Sequence, residues 1–307
     1  MLHLALVPVP LVLVCAATLV TASTTHASDP APITIKVSDR TVTLGTNATV
    51  SGRGPALRSV LLEVKTRENG WQVVDNGVTG LTGRYALKAP GWYGTHRLRV
   101  RVPGTLVLSP LVSAARTVRV RTHYQPRGEA SDWAWLGHRG ARWNPCETIT
   151  YQVNPRRGYG KATADLAAVF RKLTLVTGFR FHSMGTTSAK VMRGRRGYHP
   201  SDTDIVIDWQ SPRQERGLSG RVAGIGGHWV LAGRRFDGWM LLDQTQRLER
   251  RTWRQVMTHE LGHVLGLGHA RAPTQVMYGS SSDLNRRWGA GDLAGLWRIG
   301  ASQGCKS

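Results

Sequence analysis

Three histidines and one glutamate lie within the run His259-Glu260-Leu261-Gly262-His263-Val264-Leu265-Gly266-Leu267-Gly268-His269. On a helix, His259 and His263 are about one turn apart, so both imidazoles face one point and can share a metal ion. Glu260 sits beside them without being one of the nitrogen ligands, which suits it to act as general base on a metal-activated water. Gly266 and Gly268 accept backbone angles closed to other residues, so the chain can leave the helix there and His269 can return as third ligand. Three neutral nitrogens leave a fourth position open, the mark of a catalytic rather than a structural zinc.

These residues need a helix and a support beneath it. The spacing predicts a helix from Thr252, with its hydroxyl capping the first turn and Gln255 completing a capping box. Trp253, Met257, Leu261 and Val264 then form its buried face. Upstream, Thr148 to Val153 reads as a strand, and Leu166, Val169, Phe170, Leu173 and Val176 recur on one helical face, closed by Gly178 as C-cap. Phe179 to His182, Asp204 to Trp209 and Trp239 to Asp243 read as further strands, so the second half of the chain mixes strands and helices around one core.

The segment from His259 to His269 resembles the metzincin clan, whose pattern HExxHxxGxxH is met by His259, Glu260, His263, Gly266 and His269. The resemblance implies a methionine turn beneath the metal and places Met277 there. The neighbouring Met277-Tyr278 pair and Asp292-Leu293-Ala294-Gly295-Leu296 are similar to the matrixin branch, over about Trp143 to Gly300, with Asp292 at a structural aspartate.

That family implies an α+β catalytic domain built on a twisted mixed sheet. It also implies a secreted zinc-dependent endopeptidase acting on protein or peptide substrates, with one catalytic zinc and room for calcium. Gly279 stands where the family usually has proline, Ala270 where many members have serine, and no cysteine-switch segment lies upstream. His182, His199, Asp202, Asp204 and His228 could be assembled into a second metal site, but their spacing fits the family poorly and they read as surface residues and strand ends. Gly220 to Gly227 looks like the glycine-rich run that precedes a substrate-binding edge strand. The loop from Ser280 to Trp288 would shape the pocket beside the scissile bond, its Arg286 and Arg287 favouring acidic neighbours.

The first half reads differently. Short alternating runs with turns between them, including Ser59 to Thr66, Arg84 to Lys88 and His96 to Val102, predict an all-β immunoglobulin-like sandwich over residues 32–122. Residues 123–142 form a linker that partly docks on its neighbour, with Trp133 and Trp135 in it and Trp143 just after it as packing anchors, and residues 143–307 form the peptidase domain. Leu4 to Val20 is an apolar run followed by small residues, which reads as a secretory leader over 1–27. Cys15 falls inside it. Cys146 and Cys305 are left as an even pair in an exported chain, and we expect them to form a disulfide.

The chain of 307 residues carries 41 Lys plus Arg against 19 Asp plus Glu, a formal charge of +22. Such a field attracts anions, anionic cell-wall polymers among them, without specifying nucleic acid. After leader removal no segment is long enough to span a bilayer, so the mature chain is expected not to insert in a membrane; a monomer is expected as well. Two competing readings exist. In one, the protein is a cell-envelope binder with a weakly active or inactive metal domain. In the other, the N-terminal region is a prodomain covering the cleft.

Overall fold

The computed structural model describes residues 32–192, 200 and 202–306, and the expected leader, Cys15 and His199 lie outside them. Pro32 to Ser307 form one unit. In its N-terminal part, nine strands follow in order: β1 (Lys36–Val37), β2 (Thr41–Thr43), β3 (Thr49–Arg53), β4 (Ser59–Lys65), β5 (Trp71–Val78), β6 (Arg84–Lys88), β7 (Gly94–Val102), β8 (Leu111–Val112) and β9 (Arg116–Arg121). One sheet has the order β1-β3-β6 and the other β2-β9-β7-β4-β5, with β8 on β7.

Alternation along these strands sends Val50, Val60, Leu62, Leu87, Leu98, Val100 and Val118 into a shared core between the two sheets. A register shift between Leu62 and Glu63 breaks the alternation of β4. It leaves Glu63 buried, where its carboxylate accepts from Arg99 Nε at 2.7 Å and Arg101 Nε at 2.6 Å. The two guanidinium groups outweigh the opposing effect of burial and hold its pKa below the usual value.

The expected linker docks on its neighbour. Its strand β10 (Ala134–Trp135) pairs antiparallel with a short strand that follows the histidine helix. Trp143 is buried and donates its indole N–H to the Val264 carbonyl at 2.9 Å, the anchoring role expected of it.

The remaining elements are β11 (Thr148–Val153), α1 (Ala162–Thr177), β12 (Arg180–Thr186), β13 (Ile205–Gln210), β14 (Gly224–Leu231), β15 (Arg234–Asp243), α2 (Arg250–Leu265), β16 (Leu267–Gly268) and α3 (Ala290–Ile299). The sheet order is β12-β11-β13-β15-β14, parallel except for the antiparallel edge strand β14. The expected apolar face of α1 is buried in full, and Gly178 ends that helix in the left-handed conformation, φ 74°. A mixed sheet with few helices is the architecture expected of this half.

Three local expectations are corrected. Helix α2 begins at Arg250 with Glu249 at its N-cap and no side-chain cap, so Thr252 and Gln255 form no capping box. Gln255 is buried, and its amide is claimed by the carbonyls of Ser282 and Asn285, each at 3.2 Å, and by the Asn285 side chain. The glycine run does not precede the edge strand, because Gly224, Gly226 and Gly227 are that strand. Of the two exit glycines only Gly266 has positive φ, 115°. Gly268 lies in β16, where a side chain would crowd the Trp135 carbonyl at 3.0 Å.

Cys146 and Cys305 are joined by a disulfide, with Cα atoms 5.2 Å apart. No helix among the described residues is long and apolar enough to cross a membrane.

Candidate metal centre

Helix α2 carries His259 and His263 on one face, their ring centroids 4.6 Å apart. Gly266 caps the helix, its N–H reaching the carbonyls of Gly262 and His263, and the chain turns through β16 to bring His269 back. The centroids of His263 and His269 are 4.8 Å apart, and one ring nitrogen of each of the three histidines lies within 4.8 Å of the others. His259 Nδ1 faces the Val276 carbonyl at 2.7 Å, and His263 Nδ1 faces that of Leu267 at 2.6 Å. These carbonyls hold the Nδ1–H tautomer and leave Nε2 as the lone-pair nitrogen of both rings.

Burial favours the uncharged imidazole, pushing His259 down to about 4 and His263 to about 3. Neutral, oriented nitrogens converging on one point fit a zinc ion, and no carboxylate belongs to the cluster.

Glu260 is buried against β14. Its carboxylate accepts the Gly226 N–H, while desolvation pushes its pKa up to about 8. A Cβ at Gly226 would overlap the Glu260 carbonyl oxygen, so helix and edge strand meet at this distance only because the strand residue is glycine. A Cβ at Gly262 would likewise overlap Met277 Sδ, which places Met277 directly under the helix. The turn bearing Met277 is held by buried Asp292, whose carboxylate accepts the N–H groups of Val276 at 2.6 Å, Met277 at 3.1 Å and Gly289 at 2.8 Å.

The histidines and Glu260 open onto a cleft of about 880 Å³, lined also by Gly224, Ile225, Trp239, Tyr278 and Ser280. Leu136 of the 123–142 segment reaches its wall, and no residue of 32–122 does.

Several residues that support this site carried no motif in the sequence. Asp132 accepts the backbone N–H groups of Arg271 at 2.8 Å and Ala272 at 2.9 Å, clamping the loop between His269 and Met277. Arg235 is buried beneath the end of α2 and touches His228. Neither position has a local periodicity that would single it out.

Of the residues weighed for a second metal, none that is described is gathered with the three histidines. Asp204 accepts the Thr150 N–H at 2.8 Å, and His228 is engaged by Arg235 and the His263 carbonyl. Arg286 pairs with Asp283 and Arg287 lies over the Tyr124 ring at 5.3 Å, and neither lines the cleft.

Residues 142–288 match the family model described as Matrixin. No curated protein matches the chain.

Proposed function

Residues 142–288 form a matrixin-like metzincin catalytic domain, and on that premise we propose that the protein is an exported zinc-dependent endopeptidase in which His259, His263 and His269 hold the ion and Glu260 is the general base. The observation that carries this reading is the convergence of three imidazoles beside one buried carboxylate in an open cleft. Zinc in that position supplies a Lewis acid for the scissile carbonyl and acidifies a water molecule.

The chain's own groups do the rest. Glu260 takes a proton from the attacking water on its carboxylate and returns it to the leaving amine nitrogen. Burial alone raises the pKa of Glu260 to about 8; a cation held by the three histidines would oppose that rise and would favour the ionised carboxylate that a general base needs. Edge strand β14, paired only with β15 among the described residues, offers its backbone to an extended peptide. Met277 and Asp292 hold the floor under the histidines. The sheets of 32–122 serve as an immunoglobulin-like accessory domain rather than a cover, since none of their residues lines the cleft.

The test is Glu260→Gln. Purified variant should retain stoichiometric zinc by elemental analysis while casein cleavage falls by about 10²- to 10⁴-fold, the usual share of a general base. Turnover equal to the parent would overturn the assignment.

A further inference from the structure

The end of the N-terminal sheets far from the peptidase domain carries an unusual surface. At the near end, Tyr93 N–H donates to the Leu175 carbonyl at 2.8 Å, and Glu68 N–H to that of Gln303 at 3.0 Å. Gly94 packs against the Trp297 ring there. Strand β7 runs from that contact to Val102, roughly 27 Å away at ordinary strand rise.

Three loops meet at the far end. Arg58 Nη2 donates to the Pro103 carbonyl at 2.7 Å, Arg58 N–H to Thr79 Oγ1 at 2.9 Å, and Gly54 N–H to the Gly83 carbonyl at 3.0 Å. Their tips are apolar and bare: Leu57 is 65 % exposed, Leu81 82 % and Val107 87 %, with Leu106 fully exposed. Leu57 adopts φ 55°, a conformation that costs a bulky residue energy and here turns its side chain to solvent. Single exposed aliphatics are ordinary, but this many on joined loops at one end are not.

The loops also share a charge pattern. Residues 53–59, 78–84 and 102–113 contain Arg53, Arg58 and Arg84 and no acidic residue. Aliphatic tips without aromatic anchors are a poor match for a protein interface, whose energetic centres favour Trp and Tyr and under-use Leu and Val. Aliphatic tips ringed by arginines suit a surface with hydrocarbon below and anionic headgroups above.

We infer that this distal end is a docking surface for an anionic lipid bilayer, with Leu106, Val107, Leu57 and Leu81 entering the headgroup boundary and Arg53, Arg58 and Arg84 meeting lipid phosphates. The peptidase cleft is thereby carried at a set height above the membrane.

The experiment is co-sedimentation of the full chain with large unilamellar vesicles of phosphatidylglycerol and phosphatidylcholine, against phosphatidylcholine alone, at physiological ionic strength. Leu106→Ser/Val107→Ser leaves every charge in place and alters only exposed positions, and an unchanged thermal midpoint verifies the fold. The parent should bind the anionic vesicles, and the double variant should lose about tenfold or more in partition coefficient, the factor that follows from withdrawing about 1.4 kcal/mol. Amide exchange across residues 103–110 should slow on those vesicles in the parent alone. The inference is overturned if the parent ignores anionic vesicles, or if parent and variant bind equally. Self-association of the parent that the double variant abolishes, without vesicle binding, would overturn it in favour of a second copy as occupant.

Discussion

Arg235 donates its Nε–H to Nε2 of His228 at 2.8 Å, which makes that nitrogen the acceptor and leaves His228 Nδ1–H to donate to the His263 carbonyl at 3.1 Å. A buried cation is thus linked through one imidazole to the backbone of the histidine helix. The guanidinium also donates to the Leu136 carbonyl at 3.1 Å, while its Nη1 has no partner among the described residues and burial lowers its pKa to about 10.

A buried charge with no carboxylate beside it adds little net stability, but the space it fills and the acceptors it satisfies do. Arg235→Ala should therefore lower unfolding stability by about 2–4 kcal/mol, and Arg235→Met, which fills the space, by less than half of that. Urea titration followed by tryptophan fluorescence measures both. Equal losses would show that the hydrogen bonds, not the volume, matter.

Gly226→Ala probes the contact between edge strand and helix. The added methyl meets the Glu260 carbonyl oxygen, a backbone atom that cannot rotate away. We expect a stability loss of about 1–3 kcal/mol from overpacking and a drop in kcat/KM, because the strand and the Glu260 carboxylate move together. A fully active, equally stable variant would show that the approach is looser than described.

His96 provides a pH signature. It is buried beside Trp92 and Trp297, its Nε2–H donating to the Trp92 carbonyl at 2.8 Å, and burial lowers its pKa from 6.5 to about 4. Between those values the unfolded chain binds a proton that the folded chain refuses, so stability falls as pH drops from 6.5 toward 4 and is unaffected by this group above 6.5. The loss amounts to about 3 kcal/mol. In His96→Gln, the pH dependence of the urea midpoint should flatten across that window, and an unchanged slope would assign the acid sensitivity to other groups.

The Cys146–Cys305 bond closes a stretch of 159 residues, and Cys305 lies against strand β5 of the N-terminal sheets. Gln72 Nε2 approaches Cys305 Sγ at 2.8 Å, and Arg142 reaches both the Gly304 carbonyl, at 2.6 Å, and Glu68. Replacing both cysteines with serine should cost roughly 4–5 kcal/mol in the chain-entropy account. Parallel melts with and without reductant check this: the parent should respond to reductant and the double variant should not.

The candidate metal ligands are legible because their geometry is local. Four-residue spacing on a helix brings His259 and His263 together whatever surrounds them, and Gly266 supplies the one backbone angle that lets His269 return. The core face of α1 and the strands of the central sheet followed from periodicity for the same reason. The start of α2 was misread because Gln255, a plausible capping residue by spacing, is drawn off by Ser282 and Asn285 in a loop that sequence patterns do not position.

By itself the sequence determined which residues could bind a metal, which faces are apolar and that two cysteines were available to pair, since each depends on neighbours within a turn or two or on residue type alone. Only the tertiary structure decided that Asp132 clamps the loop after His269, 139 residues away, that Arg142 ties the C-terminus 162 residues on, and that Gly226 lies against Glu260. Such pairs have no sequence period. Their partners are chosen by how sheets and helices pack, and a buried polar group takes whichever acceptor that packing brings within reach.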